Sequence, residues 1–410
     1  MKYFLILLIN NLIFKILSDF TYNNYYLCTS SEINEWDDRC FQTPPRNSIN
    51  GDYKESYQDM HYLVGYIRLL YSSNKQICNV TFITKVNPSL GTKDKDYKII
   101  YTFGTIEQEQ NYLILTPEND TYPNGLNISA RIIKSNSNEI LAKLELEEEY
   151  FIWNNLDINE NETIYEKGQR GVIVELFGWP YDDIAEECDI LKVAGYLGVK
   201  ITPPNEYVFT ENLIEKYQLN PLEYFYQTVS YKFKSRLGDK GKLKRMINKC
   251  RKNGIRIYSQ VVINHMTYNG NDVYLEHYDE DGKLNEYWTT KSASGNSPFY
   301  TILGREYKNT SKIPTFEYPS VPYCGTDFHC QKSSSEDPFN GWIHSSVGGY
   351  GLIDLNTSKP YVQQRIADFF TECLSIGISG FSILEGNHIS VDDYIEIWLP
   401  SKILKPEIPI

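Results

Sequence analysis

The sequence predicts an α/β domain preceded by an all-β domain, because two textures follow one another along the chain. In the first, short runs of alternating apolar and polar residues recur between turn residues, as in "CNVTFITKV" at 78–86. In the second, near-continuous apolar runs alternate with segments of helical periodicity, which is the order expected of parallel β/α units. We therefore predict a small antiparallel β-sandwich over residues 21–165, followed by an α/β domain over 166–410.

The predicted sandwich rests on a set of short alternating runs. They lie at 78–86, 97–104, 111–117, 126–135 and 139–153. Residues 21–60 are polar and irregular, and no strand is predicted there. The domain could bind carbohydrate, since Trp36 and Trp153 offer rings that stack on sugars. Alternatively it is a spacer whose aromatic residues form the core, and the sequence leaves both options open.

The α/β part opens with "RGVIVELFGWP" at 170–180, and a continuous apolar run of this kind is typical of a buried parallel strand. Further strands are predicted at 197–204, 255–265 and 378–384. Helices are predicted at 181–196, 240–254 and 359–377. A long polar segment, 266–350, interrupts the alternation after the third strand.

The charge balance bears on the class of partner. The chain has 40 Lys and Arg against 53 Asp and Glu, a net charge of -13. Nucleic-acid binding depends on basic surface that neutralises phosphates. The composition therefore predicts no nucleic-acid partner.

Residues 1–20 have the features of a secretory signal peptide, in which Lys2 precedes an apolar run too short to span a bilayer. An uncleaved anchor is the alternative. The sequence thus predicts a protein that is secreted or held in the lumen of the secretory or endosomal pathway, without membrane attachment after cleavage. Asn-x-Ser/Thr sequons fit this location. The predicted glycosylation sites are Asn79, Asn119, Asn127, Asn161, Asn309 and Asn356.

Secretion favours disulfides, and the 8 cysteines include no CxxC motif, which argues against zinc. A bond between Cys324 and Cys330 would close a short loop. The residues alone do not settle the pairing of Cys28, Cys40 and Cys78.

Several segments resemble, in order, the α-amylase family, glycoside hydrolase family 13, in its animal-type branch. They include "ELFGWPYDDIAEECDIL", "YLGVKITPPNE", "CRKNGIRIYSQVVINHM", "PSVPYCGTDF" and "GYGLIDLNTSKPYVQQRIADFFTECLSIGISGF". The resemblance runs from about Arg170 to His388 and implies a (β/α)8-type barrel. Residues 266–350 would be the family's small domain, inserted after strand three. Because the chain ends at Ile410, the barrel is expected to be truncated after its fourth strand, with open edges that favour self-association.

The resemblance also implies binding residues. A calcium site would be formed by the Asn264 side chain, the Asp354 carboxylate and the His388 backbone carbonyl, which are hard oxygen donors suited to this ion. Tyr226 and His265 would contact sugar, by stacking and by a directional hydrogen bond respectively. These residues place an α-glucan-binding cleft at the ends of the strands.

The catalytic positions depart from the family pattern. In the family the fourth strand reads Gly-Phe-Arg-apolar-Asp, and the Asp is the nucleophile of a retaining mechanism that the Arg supports. This sequence keeps Gly380 and Phe381 but has Ser382 at the Arg position and Leu384 at the Asp position. Gln260 stands where the family has an Asp on the third strand. The resemblance therefore implies no intact catalytic site, and loss of the Arg also argues against a chloride ion.

Two further expectations concern neighbouring residues. Cys188 and Cys250 correspond to a disulfide of the family. Glu385, next to the altered nucleophile position, would face the helices unless the strand has already ended. The residues predicted to line the inside of the barrel are Val172, Val174, Ile201 and Leu384.

Three hypotheses of function are compatible with the sequence. The first is a secreted α-amylase-like protein of carbohydrate metabolism that has lost hydrolysis and binds an α-glucan or a partner. The second is an active α-1,4-glucan endohydrolase represented by a truncated or misjoined gene. The third is a non-catalytic structural or interaction module with the amylase fold.

Overall fold

The computed structural model describes most of two regions, 63–153 and 171–267, and then residues 351–398. Within the first two regions it leaves out 73, 87–96, 118–121, 123–124 and 211–221. Between 268 and 350 it describes 290–292, 297, 299, 317–329, 339 and 343–344. Several predictions lie outside the described residues: the signal segment 1–20, Trp36, Cys28, Cys40, Cys330, Asn119, Asn161 and Asn309. No helix within the described ranges is long and apolar enough to cross a membrane.

The N-terminal part forms two antiparallel sheets. The first has the order β1-β2-β5 and consists of β1 (Leu63–Tyr71), β2 (Cys78–Val86) and β5 (Tyr112–Leu115). The second has the order β4-β3-β6-β7 and consists of β3 (Tyr97–Phe103), β4 (Ile106–Gln108), β6 (Ile128–Lys134) and β7 (Ile140–Glu145). Strand β1 was not predicted, whereas β2, β3, β5, β6 and β7 lie within predicted runs.

The two sheets share one hydrophobic core. Alternate residues of the longer strands point into it, among them Phe82 of β2 and Phe103 of β3, because successive side chains of a strand face opposite sides. Trp153 belongs to this core, is 2% exposed and stacks on Phe151 with ring centroids 6.0 Å apart. The Trp153 ring is therefore part of the packing and does not offer a face to sugar.

The C-terminal part is built on a parallel sheet with the order β18-β11-β9-β8 in the described residues. Its strands are β8 (Ile173–Leu176), β9 (Gly198–Ile201), β11 (Arg256–Val262) and β18 (Gly380–Leu384). The helices are α1 (Tyr181–Val193), α2 (Lys240–Lys252), α3 (Pro360–Ser375) and α4 (Val391–Trp398). The strands and the helices α1 to α3 agree with the sequence-based predictions to within a few residues at their ends.

The two faces of this sheet differ in chemistry. One face carries Val199, Ile201 and Ile257, which join buried helix residues such as Ile184 in a common core. The other carries a row of polar side chains, namely Glu175, Lys200, Gln260 and Ser382. Leu384 lies on this polar face. The expectation that Val174 and Ile201 share a face with Leu384 is wrong, because the strand register places them on the helix side.

The segment between β11 and α3 contributes short strands. β12 (His265–Met266) pairs with β17 (Gly351–Asp354), which also pairs with β16 (Ile343–His344). β14 (Glu317–Tyr318) pairs with β15 (Tyr323–Cys324), and β10 (Val208–Thr210) pairs with β13 (Thr290–Ser292). The β12–β17 pairing brings the end of the polar segment back to the end of β11.

The sandwich and the C-terminal part are in direct contact. The Arg68 guanidinium on β1 binds the Asp368 carboxylate on α3, with Nε 2.9 Å and 3.1 Å from the two oxygens. The guanidinium of Arg365, also on α3, lies 4.1 Å from the centre of the Tyr66 ring. The outward-facing residues Tyr66 and Arg68 of β1 therefore pack against α3.

Candidate functional site

The carboxyl end of β11 and the short strand after it hold two of the predicted site residues. Asn264 and His265 follow Val262 by two and three residues, and both are 1% exposed. His265 lies directly opposite Asp354 in the β12–β17 pair, and the Leu355 amide donates to the Asn264 carbonyl at 2.8 Å. Backbone pairing thus fixes Asp354 beside the end of β11.

Asn264 and Asp354 form the centre of the predicted calcium site. Asn264 Nδ2 donates to Asp354 Oδ1 at 3.0 Å, and both side chains are buried. Asp354 Oδ2 lies 2.6 Å from Nδ1 of His329. Burial raises the pKa of Asp354 to about 6, although the hydrogen bond from His329 acts in the opposite direction. Oδ1 of Asn264 is buried and no donor among the described residues reaches it.

The third predicted ligand residue, His388, lies in the turn Gly386–His388 that follows β18. Its Nε2 is 3.6 Å from Oε2 of Glu385. The electrostatic interaction of His388 with Asp354 lowers the pKa of Asp354, against the larger effect of burial. The ring is therefore within electrostatic range of the Asn264–Asp354 pair. No group of three His, Cys, Asp or Glu side chains that could hold a metal ion occurs in the part of the chain that the structure describes.

The two predicted sugar-contacting residues are also brought together. His265 Nε2 lies 3.1 Å from the carbonyl oxygen of Tyr226, so this nitrogen carries the proton and donates. Burial lowers the pKa of His265 to about 4, so the ring is neutral and Nδ1 is left as a buried acceptor. Tyr226 is only partly buried, and its ring lies 6.1 Å from that of Phe177. Of the two residues, Tyr226 is the one with a ring open to solvent.

Strand β18 places the two altered catalytic positions on the polar face of the sheet. Ser382 lies opposite Gln260 of β11, and Leu384 lies opposite Val262. Gln260 Nε2 donates to Glu175 Oε1 at 2.7 Å, and Glu175 Oε2 is 2.9 Å from Nζ of Lys200. A hydrogen-bonded row therefore crosses the strands beside Ser382.

Two members of this row, Glu175 and Lys200, were not predicted as site residues. Each is a charged residue inside an apolar strand segment, and a charge in such a place needs a partner. That pattern was visible in the sequence, but the identity of the partner was not. The charge of Glu175 also raises the pKa of Tyr226, after the larger effect of burial, which places the carboxylate close to the predicted sugar-contacting residue.

Glu385 stands at the exit of the strand. β18 ends at Leu384, and Glu385 has left-handed backbone angles, with φ 53 and ψ 26. The alternation of side chains along a strand stops at this residue, so it does not direct Glu385 towards the helices. The side chain is 46% exposed and lies near His388.

The expected disulfide between Cys188 on α1 and Cys250 on α2 is present, and both residues are buried. Cys324 is also disulfide-bonded. Three of the predicted glycosylation sites are described. Asn79 lies in β2 and is partly exposed, Asn127 precedes β6 and is exposed, and Asn356 follows β17 and is partly exposed.

The C-terminal half of the chain matches a known protein family. Residues 217–397 match the model of the α-amylase catalytic domain. The α-amylase of Dermatophagoides pteronyssinus is 31% identical over 242 residues, which cover 56% of this chain and 40% of that protein. The pancreatic α-amylase 2a5 of Mus musculus is 32% identical over 223 residues, 54% of this chain and 37% of the relative. The chain therefore spans about two fifths of the length of these relatives.

Proteins named α-amylase-related also occur among the relatives. An α-amylase-related protein of Drosophila lini is 31% identical over 229 residues, covering 55% of this chain and 38% of that protein. The crystal structure of α-amylase I from Eisenia fetida aligns with a TM-score of 0.40 and 28% identity, over 55% of this chain and 40% of the other. The family match, the identities to animal α-amylases and the order of the strands agree with one another. Residues 217–397 are therefore similar to the α-amylase catalytic domain, and the chain is similar over roughly half of its length to animal α-amylases.

Proposed function

We propose that this chain is a secreted, α-amylase-like protein of carbohydrate metabolism that binds an α-glucan without hydrolysing it. The observation that carries the proposal is the end of β18, where Leu384 and Ser382 occupy the face that would have to present a nucleophile and its supporting cation. Beside them, the Gln260 amide is engaged by Glu175. The polar face is thus organised around a neutral amide and an ion pair.

The chemistry of glycoside hydrolysis explains why these replacements matter. A retaining glycosidase needs two carboxyl groups about 5 Å apart, one of which attacks the anomeric carbon. Leucine has no group that can form the glycosyl bond, and serine cannot supply the charge of an arginine. Loss of one catalytic carboxylate typically removes several powers of ten in rate, which corresponds to roughly 4–8 kcal/mol of barrier. The expected hydrolytic rate is therefore below detection.

Glucan binding can outlast catalysis because it depends on other groups. Tyr226 offers a partly exposed ring for stacking, and Glu175 and Lys200 offer hydrogen-bond partners to sugar hydroxyls on the same side of the sheet. In this proposal His265 holds the backbone of Tyr226 in place through the hydrogen bond from Nε2 to the Tyr226 carbonyl oxygen. The domain bounds are those of the sequence prediction, with the sandwich over 21–165 and the partial barrel over 166–410, the latter including the inserted domain 266–350.

Calcium is part of the proposal as a structural ion. The chemistry of the donors fits, because a buried amide oxygen of Asn264 without a donor lies next to the buried Asp354 carboxylate. Calcium prefers such oxygen ligands, and the backbone carbonyl of His388 would supply another. The ion would hold the polar segment around β17 against the end of β11.

One alternative has an observation in its favour. Glu385 lies one residue beyond Leu384, at a point where the strand has ended and the side chain is exposed. In an active α-1,4-glucan endohydrolase this carboxylate would have to take the place of the missing nucleophile. A purely structural or interaction module of the amylase fold is the third possibility, and it predicts no glucan binding.

The test measures binding and hydrolysis on the same purified protein. Isothermal titration with a linear malto-oligosaccharide should show binding that Tyr226→Ala abolishes and Glu385→Gln leaves unchanged. Release of reducing sugar from soluble starch should not be detected for the unaltered chain or either variant. Release that disappears in Glu385→Gln would establish the active-enzyme alternative. Absence of binding by the unaltered chain would favour the interaction module and contradict the proposal.

A further inference from the structure

The outer face of the three-stranded sheet is divided into two halves. In one half, Tyr66 and Arg68 of β1 contact α3, and Lys85 of β2 has its ammonium 4.0 Å from the centre of the Tyr361 ring. These residues are covered by the C-terminal part of the chain. The other half of the same face continues beyond Arg68, away from α3.

The uncovered half exposes a row of apolar side chains. Leu70 is 45% exposed, Tyr112 is 46% exposed and Ile114 is 55% exposed. Strand register places Leu70 and Ile114 on either side of Asn79, each directly opposite it. Residues directly opposite one another in a sheet have their Cβ atoms within about 5.5 Å, so Asn79 stands in the middle of an apolar row.

Asn79 heads the sequon Asn79-Val80-Thr81, and its geometry suits a surface modification. Asn79 and Thr81 are two residues apart in β2, so both point to the outer face, whereas Val80 is buried in the sandwich core. The Thr81 hydroxyl donates to Asn79 Oδ1 at 3.3 Å. Asn79 is partly exposed, and this hydrogen bond uses its oxygen and not Nδ2.

We propose that Asn79 carries an N-linked oligosaccharide and that this glycan covers the apolar row of Leu70, Tyr112 and Ile114. The inference rests on the proposed secretory location. The donor is an oligosaccharide linked to a lipid pyrophosphate. Its C1–O bond to phosphate breaks, a C1–N bond to Asn79 Nδ2 forms, one amide proton is lost and the lipid pyrophosphate leaves. Contiguous exposed apolar patches mark sites of interaction, and here the covering group would be attached at the centre of the row.

The other described sequons lack this combination. Asn127 is exposed in the turn before β6, and its carbonyl accepts the Gly104 amide. In the Asn356 sequon, Thr357 is 2% exposed and its hydroxyl donates to Asp393, while Ser358 donates to the Asn356 side chain. Asn127 therefore serves as a matched site that can be modified without covering the apolar row.

The experiment expresses the full chain, with its own N-terminal segment, in a eukaryotic secretory host. Site occupancy is read by mass spectrometry after enzymatic deglycosylation in heavy-oxygen water. Asn79→Gln and Thr81→Val should each remove one glycan, whereas Thr81→Ser should retain it. Asn79→Gln should raise the fluorescence of anilinonaphthalene sulfonate severalfold and promote self-association. Asn127→Gln should lose its own glycan without this rise. Adding Ile114→Thr to the Asn79→Gln variant should reverse the rise in dye fluorescence.

The outcomes separate this inference from the proposed location. An unmodified Asn79 beside a modified Asn127 would overturn the inference and leave the secretory location intact. If neither site carries a glycan, both are overturned. A modified Asn79 whose removal changes neither dye binding nor association would overturn the covering role.

Discussion

Asn264 and Asp354 are 90 residues apart in the chain, yet Nδ2 of the first donates to Oδ1 of the second at 3.0 Å. The bond uses the amide nitrogen of Asn264 and leaves its buried oxygen without a donor among the described residues. A buried acceptor without a partner costs roughly 1–3 kcal/mol. A cation at this position would remove that cost and would also compensate the buried Asp354 carboxylate.

We predict that calcium raises the melting temperature of the full chain, because an ion that binds only the folded state stabilises it by mass action. Asp354→Asn should abolish this increase. Asp392→Asn, which changes an exposed carboxylate in the first turn of α4, should retain it. Differential scanning calorimetry in calcium and in chelator provides the measurement. Identical melting of the unaltered chain in the two buffers would rule out the site.

The ion pair between Arg68 and Asp368 should tie the sandwich to α3. Asp368 is 3% exposed and Arg68 is 25% exposed, so removing the guanidinium leaves a buried carboxylate without the cation that binds it, while the hydrogen bond from Gln364 remains. We expect Arg68→Ala to lower the free energy of unfolding by roughly 1–3 kcal/mol, less than for a fully buried pair. Urea denaturation monitored by tryptophan fluorescence measures the change in the free energy of unfolding.

Arg131 provides the control for this prediction. It makes two hydrogen bonds to Glu107, at 2.6 Å and 2.8 Å, on an exposed surface of the second sheet. Exposed pairs contribute about 0–1 kcal/mol, so Arg131→Ala should have a small effect. Equal losses in the two variants would show that the interface pair adds nothing beyond surface electrostatics.

A buried charge cluster joins the end of the sandwich to α2 and α3. Lys240 Nζ lies 3.0 Å from Glu149 Oε2 and 2.7 Å from Glu372 Oε1. Oε2 of Glu147 accepts the Phe233 amide at 2.7 Å. Burial raises the pKa of Glu149 to about 8 and that of Glu147 to about 7, while Lys240 acts in the opposite direction on both. Two carboxyl groups thus contact one ammonium, and the third, Glu147, interacts with it electrostatically.

This cluster should make stability fall as the pH rises from about 5 to about 8. In that window the folded chain holds protons on carboxyl groups whose ordinary pKa is 4.5, whereas the unfolded chain has lost them. Glu147→Gln keeps an oxygen that accepts the Phe233 amide and removes one of these titrations. At pH 8 we expect the free energy of unfolding of the variant to exceed that of the unaltered chain by roughly 1–2 kcal/mol, and at pH 5 we expect no difference. The expected gain is moderate because Glu147 is partly exposed.

The check is the difference between two stability curves measured by urea denaturation at several pH values. Glu145→Gln is the matched control, because Glu145 belongs to the same segment but is exposed and pairs with the exposed Lys143. Parallel curves for Glu147→Gln and the unaltered chain would contradict the prediction.

The disulfide between Cys188 and Cys250 should be a major stabilising element of the α/β part. It joins residues 62 positions apart and connects α1 to α2. Closing a loop of this length restricts the unfolded chain by about 4 kcal/mol in the chain-entropy model. We expect the double alanine variant to lose most of this amount in denaturation experiments. Cys373→Ala, which removes a buried unpaired thiol from α3, should cost clearly less. A double variant as stable as the unaltered chain would refute the prediction.

The sequence by itself determined the alternation of parallel strands and helices in the second half, since apolar runs and helical periodicity are local signals. The resemblance carried by its motifs indicated the Cys188–Cys250 disulfide and the pairing of Asn264 with Asp354, and the structure contains both contacts. These features depend on residue types at stated positions. The motifs indicate which residues are involved, whereas the contact between Asn264 and Asp354 is made through the alignment of β12 with β17.

Tertiary structure decided the features that depend on strand register, which are the face of the sheet on which a residue lies and the partner that it meets on the next strand. Strand β1, "LVGYIRLLY", shows little polar alternation because part of its outer face, at Tyr66 and Arg68, packs on α3, and the alternating pattern of a half-buried strand therefore does not predict it. The face on which Val174, Ile201 and Leu384 lie follows from strand register, which a period of two does not specify between strands. The same register selected Glu175 as the partner of Gln260 across 85 residues. Long-range pairing of this kind is set by the packing of the whole sheet, so no local pattern in the sequence encodes it.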